Sequence, residues 1–223
     1  MVLTERPTRD FDAFFTHLKS LGFAPKTCID VGAAKGTLSI YQAFPEAQHV
    51  VYEPLPDFHA ELAKTMKPYR HVIRTCALME EKATKTLLRH QDLFGSSMMH
   101  RRKDDDQRVV EVEVTTLDDE MAELSCEKPI LLKTDCQGAD LLVLKGGKET
   151  LKDVDVAIVE ASFFPFWGPH HPIFYEIITF MKEAGFVVYD LLDGLYRPSD
   201  NALGQVDIAF VKEKGALRRS HAW

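Results

Sequence analysis

Asp30-Val31-Gly32-Ala33-Ala34-Lys35-Gly36 is the stretch of sequence that most constrains the fold of this chain. Apolar residues precede it, and a run suited to a helix, residues 37–44, follows it. The pattern predicts a strand, a glycine-containing turn and a helix, with the turn at the carboxyl end of the strand, where open α/β sheets bind ligands. Because Gly32 and Gly36 lack Cβ atoms, a ligand can approach the backbone and reach the free N–H groups at the helix start.

The spacing of this turn differs from that of a dinucleotide-binding fingerprint, because Ala34 stands where that fingerprint has its middle glycine. Asp30 would repel a pyrophosphate but suits a cationic or hydroxyl-rich ligand. Glu53 follows a second strand-like run about twenty residues on, where a carboxylate can accept hydrogen bonds from both ribose hydroxyls. This set fits a nucleoside without a diphosphate, and we predict S-adenosylmethionine as the cofactor. The alternative is an ordinary strand–turn–helix with solvated acids.

The composition predicts one globular domain. The chain has 223 residues, of which 45% are hydrophobic and 27% charged, and this excludes a disordered protein. The net charge of −7 argues against broad nucleic-acid binding. No apolar stretch reaches membrane-spanning length, and the polar start, residues 1–10, does not read as a secretory signal. The four cysteines form no C-x-x-C pair, so we expect free thiols in a cytoplasmic protein.

Strand-like and helix-like segments alternate along the chain, which predicts a parallel sheet with helices on both faces. An amphipathic helix is predicted over residues 10–21 and another helix over residues 139–151. Residues 84–89 and 109–115 have the pattern of a hairpin pair. The polar segment between them, residues 91–108, is long for a compact domain, which indicates a functional or mobile loop.

Short motifs follow one another through residues 27–212, nearly the whole chain. They are Ile29-Asp30-Val31-Gly32-Ala33 with Gly36, Tyr52-Glu53-Pro54, Gly95-Ser96-Ser97, Val114-Thr115-Thr116-Leu117-Asp118, Leu132-Lys133-Thr134-Asp135-Cys136-Gln137-Gly138-Ala139-Asp140, Val143-Leu144-Lys145-Gly146, Val159-Glu160 and Gly204-Gln205-Val206-Asp207. In this order they resemble the FkbM family of S-adenosylmethionine-dependent methyltransferases. Two positions depart from the family: Ala34 stands where Asn is frequent, and Asp140 where Glu is frequent. Neither change removes the backbone turn or the charge.

The resemblance implies a single domain over residues 1–223 with an α/β fold. This is the class I methyltransferase fold, a Rossmann-like, mostly parallel seven-stranded sheet with helices on both faces and its last strand antiparallel. It also implies that Cys76 and Ala77 border the adenine and that the loop serine residues form a lid over the cofactor, although a polar surface turn would look similar. The predicted cofactor-binding residues are Asp30, Gly32, Ala33, Gly36, Glu53, Pro54, Ala77, Ser96, Ser97 and Asp135.

Family members mostly methylate hydroxyl groups of sugars and natural products, so the resemblance implies a small-molecule or glycosyl acceptor. A hydroxyl acceptor must lose a proton, which calls for a base. Asp135 ends a strand beside the first one and is the leading base, although it can also cap the next helix or bind the methionine amine. Glu160 ends the following strand, where it can orient the acceptor, hold a divalent cation with Asp135, or pair with a nearby base. Gln137, Trp167 and His170 are predicted to contact the acceptor, although an aromatic loop can also plug the core.

Two other functions compete with methyl transfer. A nicotinamide-dependent oxidoreductase uses a similar sheet, but Ala34 in place of the middle glycine disfavours it. A non-catalytic cofactor-binding domain would keep the fold. The retained motif residues argue against a loss of catalytic function; they are Asp30, Glu53, Asp135 and Gly138. A divalent cation is possible, but no metal ligands are assigned.

Overall fold

The computed structural model describes residues 8–99, 108–220 and 222. The strands are β1 Thr27–Val31, β2 Gln48–Tyr52, β3 His71–Arg74, β4 Ala77–Leu78, β5 Ala83–Leu88, β6 Val109–Thr115, β7 Ile130–Thr134, β8 Val154–Ser162, β9 Phe186–Tyr196 and β10 Leu203–Lys212. The helices are α1 Phe11–Ser20, α2 Leu38–Ala43, α3 Pro56–Met66, α4 Leu117–Glu123, α5 Asp140–Lys145, α6 Thr150–Asp153 and α7 Phe174–Glu183, followed by a short 3-10 helix, Ala216–Arg218. No helix in these ranges is long and apolar enough to span a bilayer.

The central sheet has seven strands in the order β3-β2-β1-β7-β8-β10-β9. Strands β3, β2, β1, β7 and β8 pair in parallel, whereas β10 is antiparallel to both β8 and β9. The predicted mostly parallel sheet with an antiparallel last strand is therefore confirmed. The carboxyl ends of β1, β2, β7 and β8 meet at one edge, which is where ligands bind in sheets of this kind.

Both faces of the central sheet are buried, which explains why its inner strands are apolar almost throughout. On β1, Ile29 and Val31 pack into one core cluster, which extends to α5 and α7. Cys28 points the other way, into a second cluster with residues of α1 and α2. The predicted N-terminal helix is present as α1, and Asp10 caps it by accepting a hydrogen bond from the Ala13 N–H at 2.8 Å.

A second, three-stranded sheet lies beside the first and has the order β4-β6-β5. Strands β5 and β6 are the predicted hairpin pair, and β4 joins β6 in parallel. Together with residues of α3 and its N-terminal flank they bury a third apolar cluster. This sheet forms one wall of the site described below.

The helix expected over residues 139–151 is instead two short helices, α5 and α6. They are separated at Gly146 and Gly147, where the backbone passes close to β4. A Cβ atom on Gly146 would lie 2.0 Å from the carbonyl oxygen of Met79. This contact joins segments that are distant in the chain, so local periodicity does not reveal it. The sequence pattern therefore predicts one helix where the structure has two.

Candidate functional site

The conformation of the turn after β1 is fixed by a glycine and by hydrogen bonds from its backbone to β2. Gly32 has a φ of +77°, and a Cβ atom there would lie 2.0 Å from the carbonyl oxygen of Asp135. The N–H groups of Gly32 and Ala33 both donate to the carbonyl of Tyr52. Ala34 adopts the left-handed region with a φ of +48°. The turn therefore brings the carboxyl ends of β1, β2 and β7 into contact.

Glu53 follows β2 and is fixed by two backbone hydrogen bonds. Its Oε2 accepts from the Ala34 N–H and its Oε1 accepts from the Leu55 N–H, both at 2.7 Å. The residue is only 5% exposed, and burial raises the pKa of its carboxyl although these two N–H groups oppose the shift. Each carboxylate oxygen keeps a second lone pair, which can accept from a ribose hydroxyl.

A cavity of about 160 Å³ begins at the turn after β1 and passes Glu53 toward the small sheet. Its far end is largely apolar, which suits a planar base, and its middle carries the Glu53 carboxylate. An adenosine group with a polar tail therefore fits the residues present. The residues that line the cavity include Gly32, Ala34, Glu53, Pro54, Cys76, Ala77, Leu78, Leu87, Phe94, Ser96, Ser97, Met98, Asp135 and Gln137.

The two predicted lid serine residues have different partners. Ser97 is 2% exposed, and its hydroxyl donates to the carbonyl of Gln137 at 2.7 Å, so it ties the loop to the turn after β7. Ser96 instead accepts from the N–H of His90 through its Oγ. Both line the cavity. Residues 100–107, the charged part of the loop, lie outside the described residues.

Asp30 does not take the position expected from the sequence. Its side chain is fully buried and is not part of the cavity wall. One carboxylate oxygen accepts from the hydroxyl of Tyr41, and the other lies 3.9 Å from the Nζ of Lys133. Asp30 therefore supports the end of β1 from the side of the sheet that packs against α1 and α2, and its side chain is not among those that line the cavity.

Asp135 follows the last residue of β7, and two side chains form hydrogen bonds to its carboxylate. Lys133 Nζ lies 3.2 Å from Oδ2, and Gln137 Nε2 donates to Oδ1 at 2.9 Å. The same Gln137 amide lies 3.4 Å from Oε1 of Glu160. The side chain of Asp135 is 34% exposed, so a ligand can reach it.

The alternative in which Asp135 caps the next helix is not realised. The N-cap of α5 is Ala139, which has no capping side chain. Asp140 serves the turn instead, since its Oδ1 accepts from the Cys136 N–H at 3.1 Å. The turn itself uses left-handed backbone at Gln137 and Gly138. Asp135 is therefore available for chemistry rather than for helix structure.

The acids around Asp135 outnumber the bases. Burial, and then the charges of Asp135 and other nearby acids, raise the pKa of Glu160 well above its usual value. The same causes raise the pKa of Asp207 to about 7 and that of Asp140 to about 6. Burial alone would lower the pKa of Lys133, but the surrounding carboxylates, Asp135 first, raise it, so the ammonium stays charged. The buried carboxylates of this cluster therefore raise one another's pKa values.

The aromatic loop after β8 covers the turn at Gly138. A Cβ atom on Gly138 would lie 2.2 Å from Cδ1 of Trp167 and 3.0 Å from Cδ2 of His171. His171 is 5% exposed, and burial lowers its pKa to about 4. His170, which was predicted to contact the acceptor, is exposed to solvent. The neighbouring His171, rather than His170, is the buried histidine of this loop, and Trp167 lies beside it.

Sequence reasoning missed Lys133, whose ammonium contacts the Asp135 carboxylate. A lysine inside the apolar run of β7 was an available signal, because a buried ammonium almost always needs carboxylate partners. Within residues 8–99, 108–220 and 222, no group of three or more His, Cys, Asp or Glu side chains is placed to hold a metal ion.

Comparisons with known proteins agree with this architecture. The profile of the family described as the methyltransferase FkbM domain matches residues 30–188. A search of curated proteins finds no significant match.

Three solved structures share the fold. Magnesium protoporphyrin IX methyltransferase from Synechocystis PCC 6803 is 9% identical with a TM-score of 0.52, over 91% of this chain and 77% of that one. A candidate rRNA methylase from Clostridium thermocellum is 8% identical with a TM-score of 0.52, over 94% and 100%. The N-methyltransferase NodS from Bradyrhizobium japonicum WM9 is 10% identical with a TM-score of 0.50, over 91% and 96%. At these identities the likeness concerns the fold alone.

Proposed function

Since the chain belongs to the FkbM methyltransferase domain family, and on that ground is an S-adenosylmethionine-dependent methyltransferase, we propose that it methylates a hydroxyl group of a small molecule or sugar. The observation that carries this proposal is the position of Asp135. It is a reachable carboxylate at the carboxyl end of β7, beside the glycine turn of β1, and it is held by two side chains without capping a helix.

The cavity residues hold the cofactor in this proposal. Glu53 binds the ribose hydroxyls, because its carboxylate is oriented by two backbone N–H groups and faces the cavity. Ala77 and the apolar residues of the small sheet surround the adenine, and Ser97 closes the wall toward Gln137. When bound, the cofactor supplies an electrophilic methyl group on a sulfonium. Glycine at position 32 is required because only a residue without Cβ leaves room for the Asp135 carbonyl.

Asp135 accepts the proton of the incoming hydroxyl. A base contributes most when its orientation is fixed, and Lys133 and Gln137 fix the two oxygens of this carboxylate separately. The ammonium of Lys133 also forms an ion pair with this carboxylate. Glu160 shares the Gln137 amide with Asp135 and orients the acceptor from the next strand. Trp167 and His171 cover this region and restrict access of water.

The experiment is a transfer assay with S-adenosylmethionine that carries a ¹³C-labelled methyl group. The purified protein is incubated with pools of hydroxyl-containing and amine-containing small molecules, and the products are read by NMR. The carbon chemical shift of the transferred methyl distinguishes oxygen, nitrogen and carbon acceptors. Label on oxygen supports the proposal, and label on nitrogen or carbon contradicts it.

A binding titration compares S-adenosylhomocysteine with NADH in the same protein preparation. Preference for S-adenosylhomocysteine is expected, since no glycine occupies position 34 and the Glu53 carboxylate faces the cavity. Preference for NADH would favour an oxidoreductase. Tight binding of S-adenosylhomocysteine without transfer to any pool would favour a non-catalytic binding domain.

A further inference from the structure

Three contacts fix the position of the Ser97 hydroxyl. The backbone of Ser97 pairs with that of Leu88, since each N–H donates to the carbonyl of the other, at 3.1 and 3.0 Å. The Oγ of Ser97 accepts from the N–H of Met99 at 3.0 Å. Because a hydroxyl carries one hydrogen, that hydrogen is left for the carbonyl of Gln137, which lies 2.7 Å away. The donor of this hydroxyl is therefore used within the protein and is not offered to the cofactor.

Gln137 receives this hydrogen bond in an unusual backbone conformation. Its φ is +47°, in the left-handed region that residues other than glycine and asparagine seldom adopt. Gly138 follows with a φ of +94°. A second glycine at position 137 would form the same turn without strain, so the turn alone does not explain a glutamine there. Strained residues of this kind persist where the surrounding structure holds them, and they cluster at functional sites.

The side chain of Gln137 connects two carboxylates. Its Nε2 carries two hydrogens, donates to Oδ1 of Asp135 at 2.9 Å and lies 3.4 Å from Oε1 of Glu160. The direction of this side chain is set by the backbone of residue 137. A rotation of that backbone would therefore lengthen the contact with Asp135, and the Ser97 hydroxyl opposes the rotation by binding the carbonyl.

The hydrogen bond between Ser97 and Gln137 joins two separate parts of the cavity wall. Ser97 belongs to the segment that follows β5 of the small sheet, whereas Gln137 and Asp135 belong to the turn after β7 of the central sheet. Lys133, the other side chain that holds the Asp135 carboxylate, lies within β7 itself. The orientation of Asp135 thus depends on the small-sheet side of the cavity through Gln137.

We propose that Ser97 is a positioning residue for methyl transfer: through the carbonyl of Gln137 it holds the Gln137 amide, and that amide orients Asp135. This inference rests on the proposed function and adds to it a role for Ser97 on the acceptor side. Ser97 acts through Gln137 and contacts neither the acceptor hydroxyl nor the transferred methyl. Without its hydroxyl, the Asp135 carboxylate spends less time in the orientation that accepts the proton, and small errors of orientation slow a reaction strongly.

A double-mutant cycle tests this role with the acceptor found in the labelled-methyl assay. Ser97→Ala removes the hydroxyl and should lower kcat about three- to tenfold, the rate equivalent of one lost hydrogen bond. Its affinity for S-adenosylhomocysteine should be nearly unchanged. Gln137→Gly removes the amide without straining the backbone and should lower kcat at least as far. In the Gln137→Gly background, Ser97→Ala should change kcat by less than about twofold, because the amide through which it acts is absent.

The control for the kinetics is Ser20→Ala. The hydroxyl of Ser20 also donates to a carbonyl at 2.7 Å, that of His17, but it does so at an exposed position at the end of α1. This variant should keep both kcat and affinity. A purely structural role for Ser97 would instead lower the affinity for S-adenosylhomocysteine and would give the same loss of kcat in both backgrounds of the cycle.

A second measurement observes the Gln137 amide directly and needs no acceptor. In ¹⁵N-labelled full-length protein with S-adenosylhomocysteine present, the side-chain amide resonance of Gln137 is assigned by its absence in Gln137→Gly. Ser97→Ala should shift this resonance. Ser96→Ala should not shift it, because the Oγ of Ser96 is bonded to the N–H of His90 instead. The comparison is matched, since the two serine residues are neighbours and both line the cavity.

The proposal is overturned if Ser97→Ala keeps the kcat of the wild type, if it abolishes binding of S-adenosylhomocysteine, or if it lowers kcat equally in the Gln137→Gly background. A Gln137 amide resonance that does not shift in Ser97→Ala overturns it whatever the acceptor is. Failure of the proposed function gives a different result. If the wild type transfers the label to nitrogen or carbon, or transfers none, the proposed function itself is wrong.

Discussion

The ammonium of Lys133 lies 3.2 Å from the carboxylate of Asp135, two residues further along the chain. Its side chain is only 5% exposed, and on its other side it is 3.9 Å from the fully buried carboxylate of Asp30. The buried ammonium of Lys133 thus lies between the carboxylate of Asp30, a residue of β1, and that of Asp135, which lines the cavity. Removing one partner of a buried ion pair leaves an uncompensated charge, which costs much more than the pair itself contributes.

Lys133→Met removes this cation with little change in side-chain length. We expect it to lower the free energy of unfolding by about 3–5 kcal/mol, because Asp30 and Asp135 lose their shared partner. Urea denaturation at pH 7 measures the change. Lys152→Met is the control, since that side chain is 67% exposed and pairs with an exposed Glu149; its effect should stay within about 1 kcal/mol. Equal stability of the two variants would contradict the central role of Lys133.

Glu53→Ala tests the ribose site. The substitution removes a carboxylate that lines the cavity and already accepts from Ala34 and Leu55. Affinity for S-adenosylhomocysteine should fall by about 1.5–3 kcal/mol, the scale for hydrogen bonds to a charged group. Calorimetry measures the affinity, and circular dichroism confirms that the variant is folded. Glu61→Ala, at an exposed position on α3, should bind as the wild type does. An unchanged affinity in Glu53→Ala would place the ribose elsewhere.

His49 should make stability depend on pH below neutrality. It is fully buried between the rings of Tyr41 and Tyr69, and burial lowers its pKa to about 4. In the unfolded chain the pKa is about 6.5, so the unfolded state binds more protons between these values. The contribution of His49 to stability is therefore complete above pH ~6.5 and is lost as the pH falls toward 4, by up to about 3 kcal/mol.

His49→Phe removes this titration while keeping an aromatic ring. As the pH falls from 7 to 4, the free energy of unfolding should fall more in the wild type than in the variant. Urea denaturation across this range measures it. His170→Phe, at an exposed position in the loop after β8, is the control and should keep the pH dependence of stability seen in the wild type. A constant difference between His49→Phe and wild type would show that His49 is not held neutral by the fold.

Local pattern was enough to predict most of the fold. The glycine turn at Gly32, the alternation of strands and helices, and the hairpin pair all follow from short-range rules. The seven-stranded, mostly parallel sheet and its antiparallel last strand followed from the family resemblance. The missed features depend on contacts between distant segments. The split between α5 and α6 arises because the backbone at Gly146 meets Met79.

The candidate site was predicted less completely than the fold. The placement of Asp30 depends on which face of β1 is turned toward α1, which is a matter of sheet packing rather than of motif. His170 and His171 are adjacent in a loop, where no periodicity indicates which side chain turns inward. Gln205 and Asp207 lie in the recognised motif but far along the chain from Asp135. That they lie opposite Ser162 and Glu160 is visible only from the register of β8 and β10.

Asp135→Asn tests whether this residue acts on the acceptor or on the cofactor. The change keeps the shape of the side chain and its contact with Lys133 but removes the basicity. A general base contributes at least about a hundredfold to rate, so turnover should fall by about that factor or more. Affinity for S-adenosylmethionine should be nearly unchanged, because Glu53 and the apolar end of the cavity carry cofactor binding. Asp12→Asn, at an exposed position of α1, is the matched control and should retain both turnover and affinity.

Glu160→Gln completes the comparison. Glu160 shares the amide of Gln137 with Asp135 but lies one strand further from the turn at Gly32. It should therefore reduce turnover less than Asp135→Asn does and should raise the KM for the acceptor. Steady-state kinetics with the acceptor from the transfer screen, together with calorimetry for the cofactor, separates these effects. If Asp135→Asn abolishes cofactor binding in a folded protein, Asp135 holds the methionine amine, and Glu160 becomes the residue to test as the base.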